Sequence, residues 1–169
     1  MTKIYAGFSY PNKFKIGSAA IAWWMGVDYS HAYIRFESSD PDVPSNVYQA
    51  SHGMCHFETF ENFKKDNIVI KEYVIDVTPE VRKKTLINCM NLAGIGYGYR
   101  ELVQIFLMDL ANYVGRDLHF DNDPGYICSE LVGKLCQDDL GMTFNKPLNI
   151  LKPIDLDLAL ANKYKLLNP

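Results

Sequence analysis

The stretch Gly125-Tyr126-Ile127-Cys128-Ser129-Glu130-Leu131-Val132 decides how this chain is read. Ile127, Leu131 and Leu135, with Val132 beside them, recur at the i, i+4, i+8 spacing of one helix face. That spacing predicts a helix with Cys128 in its first turn, and Pro124 and Gly125 mark the break before it. A cysteine there meets unpaired backbone N–H groups and the positive end of the helix dipole, which favour thiolate over thiol. With a histidine in reach, the sulfur becomes a nucleophile for an acyl carbon. The alternative is a small buried hydrophobe on a helix. The segment alone leaves both open.

Composition narrows the setting. The 169 residues suit one domain, residues 1–169, with a sizeable core. Hydrophobic residues at 48% and charged residues at 22% give a globular balance, and 11 tyrosines with 9 phenylalanines argue against disorder. A formal net charge of -3 with no Lys/Arg stripe gives no electrostatic case for nucleic acid. No apolar run approaches the 18 residues of a membrane span, and the N-terminal Met1-Thr2-Lys3-Ile4-Tyr5 lacks a signal-peptide core. The expectation is a cytoplasmic protein without an integral membrane segment, compatible with a bacterial or phage source. Cys55, Cys89, Cys128 and Cys136 form no CxxC pair, so reduced thiols are expected. His52-x-x-Cys55-His56 is the nearest metal-like cluster, but no second cluster completes it, and neither metal nor cofactor is expected.

Along the chain, residues 3–8 read as a short strand broken by Ser9-Tyr10-Pro11-Asn12, and residues 17–25 as a small apolar helix closed by Gly26. Trp23 and Trp24 in that helix either pack or edge a substrate site. From Ala32, apolar and more polar residues alternate, so Ala32, Ile34 and Phe36 share one strand face and His31, Tyr33 and Arg35 the other. Val47-Tyr48-Gln49-Ala50-Ser51 reads as the return strand of an antiparallel hairpin, with Gly53 after it. Residues 57–64 stay ambiguous between strand and loop, whereas residues 68–77 are a clear strand. Thr78-Pro79-Glu80 opens a helix running to about Leu92 and stopping at Gly94. Gly94-Ile95-Gly96-Tyr97-Gly98 is a glycine-rich turn, a second helix follows over residues 101–114, and a polar connection over 115–125 leads to the cysteine helix. Residues 141–152 read as loop, residues 153–160 as the start of a short helix, and residues 164–167 as an edge strand. Fold class is α+β: an antiparallel sheet against the cysteine helix and two preceding helices.

A cysteine nucleophile needs a base, and the base needs an orienting partner. His31 opens a strand after Ser30, an exposed sheet end; His52, His56 and His119 are the other candidates. Gln49 sits in a β-favouring run and must hydrogen-bond something, for which the His31 imidazole across the hairpin is a reasonable target. A structural histidine is the competing reading.

Ser30-His31-Ala32-Tyr33-Ile34-Arg35-Phe36 followed by Val47-Tyr48-Gln49-Ala50-Ser51 resembles the histidine hairpin of NlpC-type papain-like enzymes. Tyr126-Ile127-Cys128-Ser129-Glu130-Leu131-Val132 resembles their Cys-Ser-x-Leu-Val nucleophile helix, and Gly94-Ile95-Gly96-Tyr97 their Gly-x-x-Tyr turn. The histidine hairpin precedes the cysteine here, which is the order of the circularly permuted branch that also holds lecithin:retinol acyltransferase relatives. These blocks are scattered over residues 4–136. The resemblance implies a circularly permuted papain-like fold and a cysteine hydrolase or acyltransferase. It implies Cys128 as nucleophile, His31 as base, Gln49 as the orienting third residue, and Tyr97 with the Cys128 N–H as oxyanion donors. Many relatives carry His, Asn or Glu where this chain has Gln49; an amide orients the imidazole but does not offset its charge. The implied substrate is a peptide, a peptidoglycan peptide or an acyl compound, with amide bonds first and isopeptide or lipid ester bonds after. A non-catalytic binding protein that keeps the fold is the competitor. Tyr97 reads equally as a packing residue, Glu130 as a surface carboxylate and Cys136 as core.

Overall fold

The computed structural model describes residues 2–13, 16–116 and 125–167, without the side chain of Glu101. Pro124, His119 and most of the polar connection before the cysteine helix lie outside the described residues. Thirteen elements follow in chain order: β1 (Thr2–Pro11), α1 (Ile16–Met25), β2 (His31–Phe36), β3 (Asn46–Ser51), β4 (Met54–Thr59), α2 (Phe60–Asp66), β5 (Asn67–Val77), α3 (Pro79–Leu92), α4 (Tyr99–Tyr113), α5 (Cys128–Leu140), a 3-10 turn (Leu148–Ile150), α6 (Pro153–Ala161) and β6 (Lys165–Leu167). The architecture is α+β, one six-stranded sheet in the order β4-β3-β2-β1-β5-β6 with every neighbour antiparallel.

Strand alternation sorts the sheet into two faces of different chemistry. On one, Ile4, Ala6 and Phe8 of β1, Ala32, Ile34 and Phe36 of β2, and Tyr48 and Ala50 of β3 form the main core with Leu131, Val132, Leu135 and Cys136 of α5. This is the face that the sequence pattern assigns to Ala32, Ile34 and Phe36. On the other, Tyr33, Val47 and Phe63 make a smaller cluster beneath α2. Arg35 stands on that second face with its guanidinium 3.7 Å from the Tyr5 ring centre and 4.6 Å from that of Phe60. It donates twice to Glu72, through Nε at 2.8 Å and Nη2 at 2.6 Å, and the Tyr33 hydroxyl donates to the same carboxylate at 2.9 Å. A side chain at position 7 has no room there, because a Cβ on Gly7 would stand 2.2 Å from Tyr33 Cζ.

Local signals explain most element ends. Thr78 caps α3 by accepting from the Val81 N–H, with Pro79 and Glu80 in the first turn. Gly141 closes α5 in the left-handed conformation at φ 61°. Asp157 of α6 ties that helix to the sheet, accepting from Tyr29 Oη at 2.5 Å, Tyr73 Oη at 2.6 Å and Lys71 Nζ at 2.8 Å.

Three expectations change. The first strand does not break at Ser9: β1 runs on to Pro11, with a register shift at Phe8/Ser9 that absorbs the irregularity. Pro11 is tolerated because pairing with β2 ends at Ser9, which leaves this end of β1 with β5 as its one paired neighbour. The ambiguous residues 57–64 divide between β4 and a helix, α2, capped by Thr59 accepting from the Asn62 N–H. Finally, α3 rests on β1 and α5, whereas α4 rests on the 3-10 turn and places Phe106 5.4 Å from the Trp24 ring of α1.

Candidate active site

Cys128 is the first residue of α5, and Ile127 before it is extended at φ -83°, ψ 161°. Two contacts fix this helix start. Ser129 Oγ, fully buried, donates to the Leu151 carbonyl at 2.6 Å. Behind it, Gly133 lets the 148–151 segment close in, since a Cβ there would stand 2.6 Å from a Leu151 methyl carbon. Leu131 N–H then closes the first helical bond on Ile127 at 3.0 Å.

The glycine-rich turn is stitched to the same point from the other side. Tyr97 N–H donates to Gly53 O at 2.9 Å and Cys55 N–H to Ile95 O at 2.8 Å, tying the turn to the tip of the β3–β4 hairpin. Tyr126 N–H donates to Gly96 O at 3.0 Å and Gly98 N–H to Tyr126 O at 3.0 Å, tying it to the residues before Cys128. Gly125 is needed at this seam, because a Cβ would meet the Gly98 nitrogen at 2.8 Å. The turn thereby brings Tyr97 into the electrostatic neighbourhood of Cys128. Burial first, and the neighbouring Cys128 next, push the Tyr97 hydroxyl well above its ordinary range, so it stays protonated and remains a donor.

Cys128 itself is 5% exposed. Burial pushes its thiol up from the ordinary value, against hydrogen bonds from the backbone of Ala32, Ser129 and Cys128 that pull it down. Burial therefore opposes the thiolate that the helix start favours. Desolvation outweighs the helix-end dipoles here. The sulfur borders a slot of about 10 Å³, lined among others by Ile21, Trp24, Tyr97, Ile105 and Pro153. That space holds about one water molecule. Trp24 faces this slot, whereas Trp23 is 83% exposed.

The Ala32 backbone group that reaches Cys128 belongs to the residue after His31 in β2. His31 itself faces the opposite side of the sheet by alternation, its ring 6.5 Å from that of Phe63. Its Nε2 donates to Oε1 of Gln49 at 2.6 Å, and Gln49 is 2% exposed. Gln49 in turn donates through Nε2 to Oε1 of Glu58 on β4, two residues beyond its cross-strand partner His56. His56 Nε2 stands 3.9 Å from the same Glu58 oxygen. Thus the structure joins His31 to Gln49, and joins Tyr97 and Cys128 at the start of α5.

Glu58 escapes a reading of the sequence because it falls in residues 57–64, which stay ambiguous between strand and loop. Its signal was present: in Met54-Cys55-His56-Phe57-Glu58-Thr59 the residues alternate, with Cys55 and Phe57 on the core side and His56 and Glu58 on the other. Glu130, expected at the surface, is 8% exposed and close enough to Cys55, Tyr126 and Lys134 to act on their charges. Cys136 is fully buried in the core. His52 and His56 lie at the hairpin tip, their rings 6.2 Å apart. Among the described residues no group of three or more His, Cys, Asp or Glu side chains is arranged to hold a metal ion, and no helix is long and apolar enough to cross a membrane. No family model matches the chain, and no curated protein sequence matches it.

Proposed function

We propose that this protein is a cysteine hydrolase of circularly permuted papain-like architecture that cleaves an amide bond in a peptide or cell-wall peptide. The observation that supports the reading most is the 2.6 Å hydrogen bond from His31 Nε2 to Gln49 Oε1. An imidazole held through Nε2 by an amide oxygen presents Nδ1 as its basic nitrogen.

In this reading His31 Nδ1 takes the Cys128 proton as the sulfur attacks the carbonyl carbon. Burial pushes the Cys128 thiol up, so the imidazole is needed to take its proton as the sulfur attacks. The Cys128 backbone N–H and the Tyr97 hydroxyl hold the oxyanion of the tetrahedral intermediate. Collapse expels the amine, which leaves with the proton from His31. Water, deprotonated by the same imidazole, then attacks the thioester and releases the carboxylate and the Cys128 thiol. The narrow slot means that side chains of α1, Ile21 and Trp24 foremost, move aside for substrate.

A lipid ester hydrolase or acyltransferase is the second reading, favoured by the apolar lining of Ile21, Trp24, Leu102 and Ile105 beside the sulfur. A binding protein that retains the fold is the third. Mass spectrometry of the intact protein, after incubation with cell-wall peptides or with acyl esters, separates them. The expected result is an acyl adduct on Cys128, with turnover lowered about a thousand-fold or more in Cys128→Ser. Adducts from esters alone favour the second reading. No adduct, together with equal and slow alkylation of all four cysteines, would favour the binding protein.

A further inference from the structure

The geometry points to Glu58 as a positioning residue that sets the tautomer of His31 by fixing which way the Gln49 amide faces. The inference rests on the reading of His31 as the base.

An amide between two partners can be turned either way, and its orientation is set by what each partner can donate or accept. Glu58, as a carboxylate, only accepts, so the Gln49 nitrogen must face it, as it does. The Gln49 oxygen is then turned to His31, where it accepts at 2.6 Å from Nε2. A carbonyl oxygen cannot donate, so the neutral ring must carry its hydrogen on Nε2. Nδ1 is left with the lone pair, the form that a base needs. Each link follows from the one before it, and the chain begins at the Glu58 carboxylate.

The placement of Glu58 is set by the sheet. β3 and β4 pair antiparallel with Gln49 opposite His56, so Glu58 is the diagonal neighbour of Gln49 on the same face. His56 flanks the carboxylate with Nε2 at 3.9 Å, and its Nδ1 is 3.2 Å from the Met54 carbonyl. Gln49 is buried while Glu58 keeps part of its side chain at the surface, so the carboxylate keeps some hydration while it anchors the amide. The negative charge also stands one amide away from the imidazole. Gln49 thus passes on part of the stabilisation of the imidazolium that its own neutral side chain lacks.

The test uses the whole chain and two readouts. The first is the ¹⁵N spectrum of the His31 ring, taken where the imidazole is neutral, in wild type and in Glu58→Gln. Wild type is expected to show hydrogen on Nε2 only. In Glu58→Gln the new amide can donate or accept, Gln49 can turn, and His31 becomes a mixture of tautomers. The second readout is the rate at which iodoacetamide alkylates Cys128, expected to fall on the order of 10-fold in the same variant. Glu58→Gln keeps the side-chain shape, and an unchanged melting temperature excludes a folding defect. A wild-type ring protonated on Nδ1, or a ring spectrum that Glu58→Gln leaves unaltered, would overturn the inference. A tautomer change with no change in alkylation rate supports the role of Glu58 and counts against Cys128 and His31 acting together.

Discussion

The two faces of the sheet solve the burial problem in opposite ways. The face under α5 is mainly apolar and buries the thiols of Cys55, Cys89 and Cys136 completely, with Asp157 of α6 held there by Tyr29, Tyr73 and Lys71. The face under α2 buries charge, and every charge at its centre is answered, Arg35 by Glu72 and Glu72 by Arg35 and Tyr33. Burial drives the thiols of the first face up, while the ion pair of the second persists. The candidate site straddles the two. Its sulfur sits at the start of α5, where burial pushes the thiol up. His31, Gln49 and Glu58 belong to the polar face, which can hold a defined hydrogen-bonded geometry. A strand end such as His31, the first residue of β2, is where groups from both faces can be brought toward one another.

The sharpest way to break this contrast is on the polar face. Glu72→Ala leaves Arg35 charged, buried and without its bidentate partner, and is expected to destabilise by about 3–5 kcal/mol in urea unfolding. The double variant Arg35→Leu/Glu72→Leu should recover much of that loss. A double variant as unstable as the single one would mean that the aromatic packing around Arg35 carries the face. On the apolar face, Leu131→Ala deletes a fully buried side chain. It should cost about 2–5 kcal/mol, without rescue by any second charge change. A cost below about 1 kcal/mol would show that α5 repacks freely.

The smallest effect per group is alkaline. Burial raises Cys55 to about 11 and Cys136 to about 12, while the same thiols in the unfolded chain titrate near 8.5. Below that unfolded value the thiols are protonated in both states and the folded state keeps its full stability. Above it the unfolded chain gives up protons that the folded chain retains, so stability falls as pH rises toward the folded values. Each thiol is expected to cost roughly 1 kcal/mol by pH 9. Urea midpoints measured from pH 7 to 9.5 check this, and a flat profile would place the thiols in a wetter setting than the apolar face provides.

Long periodic elements were legible from residues alone. Thr78-Pro79 announces α3, and Ile127, Leu131 and Leu135 announce α5, because each signal is local and repeats. The alternation from Ala32 to Phe36 even sorts the two faces correctly. The join of His31 to Gln49 was legible because a buried amide in a hairpin demands a partner close by. What was hidden depends on register and depth. β1 passes Ser9 because pairing with β5 outweighs local turn chemistry, and Glu58 meets Gln49 only once β4 is aligned on β3. The burial of Cys128 brings in residues distant in sequence, Trp24 and Pro153 among those lining its slot, and no local pattern reports it.

The stitching of the glycine-rich turn has a consequence for the order in which the chain matures. Gly53 and Cys55, then Ile95 to Gly98, then Tyr126 must come together in turn before the start of α5 is held, and Ser129 waits further for Leu151. On a ribosome, the histidine hairpin emerges well before the segment that carries Cys128. His31 and Gln49 can therefore pair before Cys128 is synthesised, and the thiol is lodged only as the last third of the chain docks. A nascent chain stalled before Leu151 would carry Cys128 on an unanchored helix start. In such a chain the thiol would be open to oxidants that the finished protein keeps out.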